Sequence, residues 1–168
     1  AIQDYDEAIR LHPRYADTYY TYYNRGRAYS KLGEYERAIY DYDEAIRLLP
    51  ENADAYIMRG GVYANLGQEE RAIQDYDTAI RLDPENADAY TMRGVVYANR
   101  GQDERAIQDY DTAIGLDPED AEVYYNRGRA YSQLGQYTLA IDDYNEAIHL
   151  DPEDAEVYYN RGRAYSQL

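Results

Sequence analysis

DPEDAEVYYNRGRAYSQL occupies residues 117–134, and the same letters return unchanged at 151–168. The two copies begin 34 residues apart, and Pro50, Pro84, Pro118 and Pro152 fall on the same spacing. A fixed period of this length marks a solenoid, in which each unit buries its apolar face only by stacking on its neighbours. Every period keeps one order: Tyr, Arg-Gly, Tyr, Gly, Ala-Ile, Tyr, Ala-Ile, Leu, Pro. With Arg-Gly taken as positions 7 and 8, tyrosine stands at positions 4, 11 and 24 of every copy. In one period these are Tyr56, Tyr63 and Tyr76. The chain has 24 tyrosines and no Phe or Trp, so its odd aromatic content is mostly three choices copied along the array.

Each period reads as two helices. Ala72, Ile73, Tyr76, Ala79 and Ile80 recur at i, i+1, i+4, i+7 and i+8, which is one face of a helix. The preceding helix runs from near Ala53 to Leu66, with Asn52 as its cap, Asp54 near its positive end and Gly67 as its stop. Pro84 and its equivalents end the second helix and turn the chain toward the next unit. Small residues at positions 8, 20 and 27, such as Gly60, Ala72 and Ala79, let the backbones approach while tyrosine rings fill the space between.

The order of Gly, Tyr, Ala, Ala and Pro at these offsets resembles the tetratricopeptide repeat family, over the whole chain. Tyr at position 4 and Arg at position 7 replace the Trp and Leu common in that family. The resemblance implies an all-α fold, a right-handed α-solenoid superhelix of antiparallel helix pairs. The array then divides into a partial repeat at 1–13, a repeat with a three-residue insertion at 14–52, full repeats at 53–86, 87–120 and 121–154, and a partial repeat at 155–168. Arg25, Arg59, Arg93, Arg127 and Arg161 at position 7 face Asp4, Asp41, Asp75, Asp109 and Asp143 at position 23, which predicts an ion pair joining helix to helix. The insertion is a doubled TYY within ADTYYTYYNRG, residues 16–26. Three residues advance a helix by about 300°, so the doubling is expected to add one turn, with Tyr15, Tyr19 and Tyr20 in a protruding end.

In the family, first helices line a concave groove that takes an extended or helical peptide. Carried onto this chain, the groove positions hold Tyr23, Asn24 and Arg27, then Ile57 and Met58, then Thr91, Met92 and Val95. They continue with Tyr125, Asn126 and Arg129, and with Tyr159, Asn160 and Arg163. Asn can donate to and accept from a peptide backbone, Arg can take a carboxylate, and Met adapts to irregular apolar side chains. The acids at position 2, Asp54, Asp88, Glu122 and Glu156, stand where chaperone-tail binders of the family carry Lys, which argues against that ligand.

The formal charge of −16 repels phosphate backbones and anionic lipid, so the expected partner is a neutral or basic peptide or protein segment, with no nucleic acid and no membrane. With no cysteine, and with His12 and His149 far apart in the sequence, no catalytic constellation, metal site or cofactor is expected. The DYD triplets, such as Asp75 to Asp77, lack the glycine turn and the final Glu of a calcium loop and read as a solvated acidic face. The chain opens inside a second helix and stops at the end of a first helix, which leads us to expect a piece of a longer array whose ends stack head to tail. Its first residue is not Met, and its localisation is unreadable. Two functions follow: a non-enzymatic scaffold that binds a peptide or protein segment in the groove, or a structural spacer or self-assembling superhelix with head-to-tail stacking and no dedicated groove ligand.

Overall fold

A computed structural model describes residues 1–12 and 18–168. Among the described residues the secondary structure is helical throughout: α1 (Ile2–Leu11), α2 (Thr18–Lys31), α3 (Tyr35–Leu48), α4 (Ala53–Asn65), α5 (Glu69–Leu82), α6 (Ala87–Asn99), α7 (Asp103–Leu116), α8 (Ala121–Gln133), α9 (Tyr137–Leu150) and α10 (Ala155–Tyr165). They form two compact units, Ala1–Pro84 and Glu85–Leu168. Within the first, α2 packs on α3 and α4 on α5; within the second, α6 packs on α7 and α8 on α9.

The sequence signals act where they stand. Asn52 accepts a hydrogen bond from the Asp54 amide at 2.9 Å, and Asp120 and Asp154 accept from the Glu122 and Glu156 amides at 2.9 and 2.8 Å, so the first helices start on side-chain caps. At the other end Gly67 adopts φ 69°, which lets the Gln68 amide reach back to the Tyr63 carbonyl at 2.8 Å.

Between paired helices, the glycine at position 8 meets the tyrosine at position 24. Tyr42, Tyr76, Tyr110 and Tyr144 are fully buried. A methyl group built on Gly60 would lie 2.8 Å from the Tyr76 ring, so the ring occupies the space a side chain would need. The alanines on the same face, Ala72 and Ala79, are buried completely and hold the two backbones close.

Four of the expected ion pairs form, and they are forked, whereas Asp4 meets the Ala1 amine at 3.1 Å and Arg161 donates to Asn145 at 2.7 Å. Arg59 donates from Nε and Nη2 to the two oxygens of Asp75 at 2.8 and 2.7 Å, and Arg25–Asp41, Arg93–Asp109 and Arg127–Asp143 repeat this geometry. The third donor, Nη1, reaches the preceding second helix: Arg59 to Asp43, Arg25 to Asp6, and Arg127 to Asp111. The DYD triplet is therefore not simply a solvated acidic face. Its first Asp is buried in the fork of its own repeat, and its second, about half exposed, bridges to the arginine of the next. Each guanidinium also lies between two tyrosines, as Arg59 does at 5.7 Å from the Tyr56 ring and 5.8 Å from the Tyr63 ring. Positions 4, 7, 11 and 23 thus form one cluster, which accounts for Tyr and Arg where the family often has Trp and Leu. Burial pushes the Asp41 and Asp143 carboxyls above the usual carboxylate value despite the facing guanidinium. Such a pair adds little net stability, but removing one member is costly.

The TYY insertion is accommodated differently from the protruding turn expected of it. Tyr15 lies outside the described residues. Helix α2 begins at Thr18, and Tyr19 stands where Ala53 stands in the next repeat. Tyr19 is 2% exposed, packed with Tyr22, Ala45 and Ala55 and stacked on Tyr23 at 5.9 Å. The reason is register: Tyr19, Tyr22, Gly26 and Tyr29 are spaced i, i+3, i+7 and i+10 and all fall on the buried stripe of α2. Among the described residues of the expected protrusion Tyr20, one residue round the helix, stands out, at 60% exposure.

Candidate functional site

The predicted groove residues take different depths in the two units. In the first, Tyr23 and Asn24 are half-buried and Arg27 is exposed, its guanidinium 5.9 Å from the Tyr23 ring. Met58 packs against the cluster of Tyr29, Tyr42 and Val62, and Ile57 is buried at 6% exposure. In the second, Thr91 is equally buried and spends its hydroxyl on the Ala87 carbonyl at 3.1 Å, whereas Met92 is exposed. Ile57 and Thr91 therefore present no side chain to a groove. Position 5 is long enough to reach outward when it holds Tyr, but a shorter Ile or Thr ends within the helix packing.

The second unit gathers the remaining residues along its first helices, α6, α8 and α10. Val95, Tyr125, Asn126 and Arg129 line a cavity of about 530 Å³. Tyr125 and Arg129 also open into a second cavity, of about 590 Å³, together with Tyr159, Asn160 and Arg163. Seven of the predicted residues thus share one continuous stretch of surface. Gln133, Tyr137 and Gln167 join the second cavity without standing among the predicted groove residues.

A polar network crosses between α8 and α10. The Tyr125 hydroxyl donates to Glu156 Oε1 at 2.6 Å, and Asn160 Nδ2 donates to the Tyr125 hydroxyl at 3.1 Å and to the Glu156 carbonyl at 3.0 Å. Burial and the neighbouring carboxylate push the Tyr125 phenol well above its ordinary value, so it stays a donor. Glu156 was expected only as an acid unfavourable to anionic tails; here it anchors the wall between two repeats. The Arg129 and Arg163 guanidiniums lie 5.7 Å from the Tyr125 ring and 6.0 Å from the Tyr159 ring, and neither makes an ion pair among the described residues. Among the described residues no group of His, Cys, Asp or Glu could hold a metal ion, and no helix is long and apolar enough to cross a membrane.

The fold has close counterparts among solved structures. The chain superposes on a MamA protein with a TM-score of 0.80 at 26% identity, over 91% of this chain and 84% of that one. It superposes on YrrB, described as a TPR protein with an unusual peptide-binding site, with a TM-score of 0.78 at 28% identity, over 99% of this chain and 84% of that one. A tetratricopeptide repeat protein from Parabacteroides merdae has the same fold, with a TM-score of 0.85 at 24% identity, over 99% of this chain and 65% of that one. No curated protein matches. The TPR repeat pattern matches residues 60–101, 94–135 and 128–168, and the tetratricopeptide repeat pattern matches 19–52 and 41–74. With its period, helix pairs and packing residues accounted for, the chain belongs to the tetratricopeptide repeat family.

Proposed function

We propose that this chain is a non-enzymatic scaffold that binds a peptide or protein segment in a groove along its first helices. The observation that carries the reading is the pair of adjoining cavities in the second unit, lined by Tyr125, Asn126, Arg129, Tyr159, Asn160 and Arg163. Their size suits a few residues of chain rather than a buried small molecule. Asn126 can pair with a peptide group, the tyrosines offer flat apolar faces with a polar tip, and the arginines offer charge. The likeness to YrrB, whose description includes a peptide-binding site, supports the same use of the fold. At long range the net charge of −16 favours a segment that is neutral or basic overall and disfavours nucleic acid and anionic membranes.

The test is peptide display against the wild-type chain, followed by titration of the selected peptides. Binding should fall at least tenfold, about 1.4 kcal/mol, when Asn126→Ala is combined with Tyr159→Ala, and should survive Gln108→Ala on α7. Equal binding to all three proteins would remove the groove as the site and leave a spacer as the better description.

A further inference from the structure

We propose that Arg129 and Arg163 together recognise two carboxylates about three residues apart on an extended segment, a reading that rests on the groove proposed above. The argument begins with charge pairing. The chain has 33 acidic residues against 17 Lys and Arg, so a cation has many opportunities to be paired within it. Arg25, Arg59, Arg93 and Arg127, at position 7, are each locked in a forked bond to Asp. Two positions beyond Arg127 on α8, and at the same repeat position on α10, the outcome reverses: among the described residues Arg129 and Arg163 make no ion pair, and both line the cavity of about 590 Å³. Their planar donors are open to a carboxylate fork, the strongest polar contact available to an arginine.

Spacing narrows the ligand. Arg129 and Arg163 hold the same repeat position on α8 and α10, which touch each other. Touching helices lie about 8–10 Å apart, and an extended chain advances about 3.3 Å per residue, so one repeat corresponds to about three ligand residues. Asn160 already spends its amide on Tyr125 and on the Glu156 carbonyl, so it fixes the wall between the two cationic sites. Glu156 is the internal competitor: its carboxylate lines the same cavity, held by the Tyr125 hydroxyl. The segment is then neutral or basic as a whole, which the long-range field admits, with an acidic pair at its centre, which the arginines receive at contact.

The experiment uses synthetic twelve-residue peptides of zero net charge whose centre is Glu-x-x-Glu, Gln-x-x-Gln, Lys-x-x-Lys or adjacent Glu-Glu, titrated by fluorescence polarisation. Glu-x-x-Glu should bind about tenfold more tightly than the Gln form, as expected for charged hydrogen bonds, and more tightly than adjacent Glu-Glu. Arg129→Gln with Arg163→Gln should erase that preference, and Glu156→Gln should sharpen it. Arg47→Gln with Arg81→Gln, on the second helices, removes the same charge and should leave the preference intact. If the Gln or Lys peptides bind as tightly, and binding still depends on Asn126 and Tyr159, the groove stands and the acidic pair is wrong. If no peptide binds, or binding ignores every groove variant, both readings fall.

Discussion

Gly128→Ala and Gly162→Ala are the same substitution in the same local sequence, since both glycines sit in AEVYYNRGRAYSQL. Their surroundings differ. A methyl group on Gly128 would lie 2.8 and 3.0 Å from two carbons of the Tyr144 ring and 3.2 Å from the Ala140 carbonyl oxygen; on Gly162 it would meet nothing within 4 Å. Carbon atoms prefer about 3.5–4.0 Å, and Tyr144 and Ala140 are both fully buried, so neither can move aside freely. Overpacking of this kind costs about 1–3 kcal/mol, whereas replacing a helical glycine by alanine gains about 0.8–1 kcal/mol. Gly128→Ala should therefore lose about 1 kcal/mol net, and Gly162→Ala should gain up to about 1 kcal/mol. Helix propensity cancels in the comparison, leaving a gap of about 1–3 kcal/mol that belongs to the ring collision. Urea unfolding followed by circular dichroism reads both values, with the transition slope checked because stacked repeats can unfold in parts. Equal shifts in the two variants would refute the claim that this glycine is there to admit the tyrosine. In a Tyr144→Leu background the Gly128→Ala penalty should shrink, as contacting residues couple.

Asp75→Ala strands Arg59 in a half-buried setting and should cost about 3 kcal/mol, whereas Asp43→Ala, at the exposed end of the same guanidinium, should cost less than about 1 kcal/mol; matching losses in urea midpoint would remove the distinction between fork and bridge. Burial holds the phenols of Tyr42, Tyr76, Tyr110 and Tyr144 above their ordinary value. These four phenols ionise near pH 10 in the unfolded chain but not in the folded one, so the stability they carry should be constant below about pH 10 and fall above it. Phenolate absorbance amounting to all 24 tyrosines near pH 10 with the helical signal intact would contradict this, since only the exposed phenols should ionise there. Met58→Asn with Met92→Asn should leave partner capture unchanged, because neither methionine lines the two cavities of the second unit; a loss of capture would place the binding surface elsewhere.

How much of this was legible depends on how a residue is constrained. Positions 4, 7, 8, 11, 23 and 24 recur because each is held by another member of the same cluster, so repetition alone exposed the Arg–Asp pairing and the glycine facing a ring. The second Asp of the DYD triplet gives way to Asn145 in the last copy and looks like an ordinary surface acid, because for Asp43 and Asp111 the partner lies in the next repeat and half of the side chain stays in solvent. Tyr19 misled in the opposite direction: a doubled motif suggests an appendage, but a three-residue step nearly restores the helical face, so the inserted ring entered the core. The groove was least legible. Its positions vary between copies, and whether a side chain reaches the surface depends on its length, as Ile57 and Thr91 against Tyr125 and Tyr159 make plain. Nor does repetition distinguish Arg127 from Arg129, both of which sit beside tyrosines in an acidic chain. The difference is angular: two residues move a side chain by about 200° around the helix, taking Arg127 to the facing carboxylates and Arg129 to the open side. A repeat can therefore use one kind of residue both to bind itself together and to bind something else, and only the face on which it falls tells the two apart.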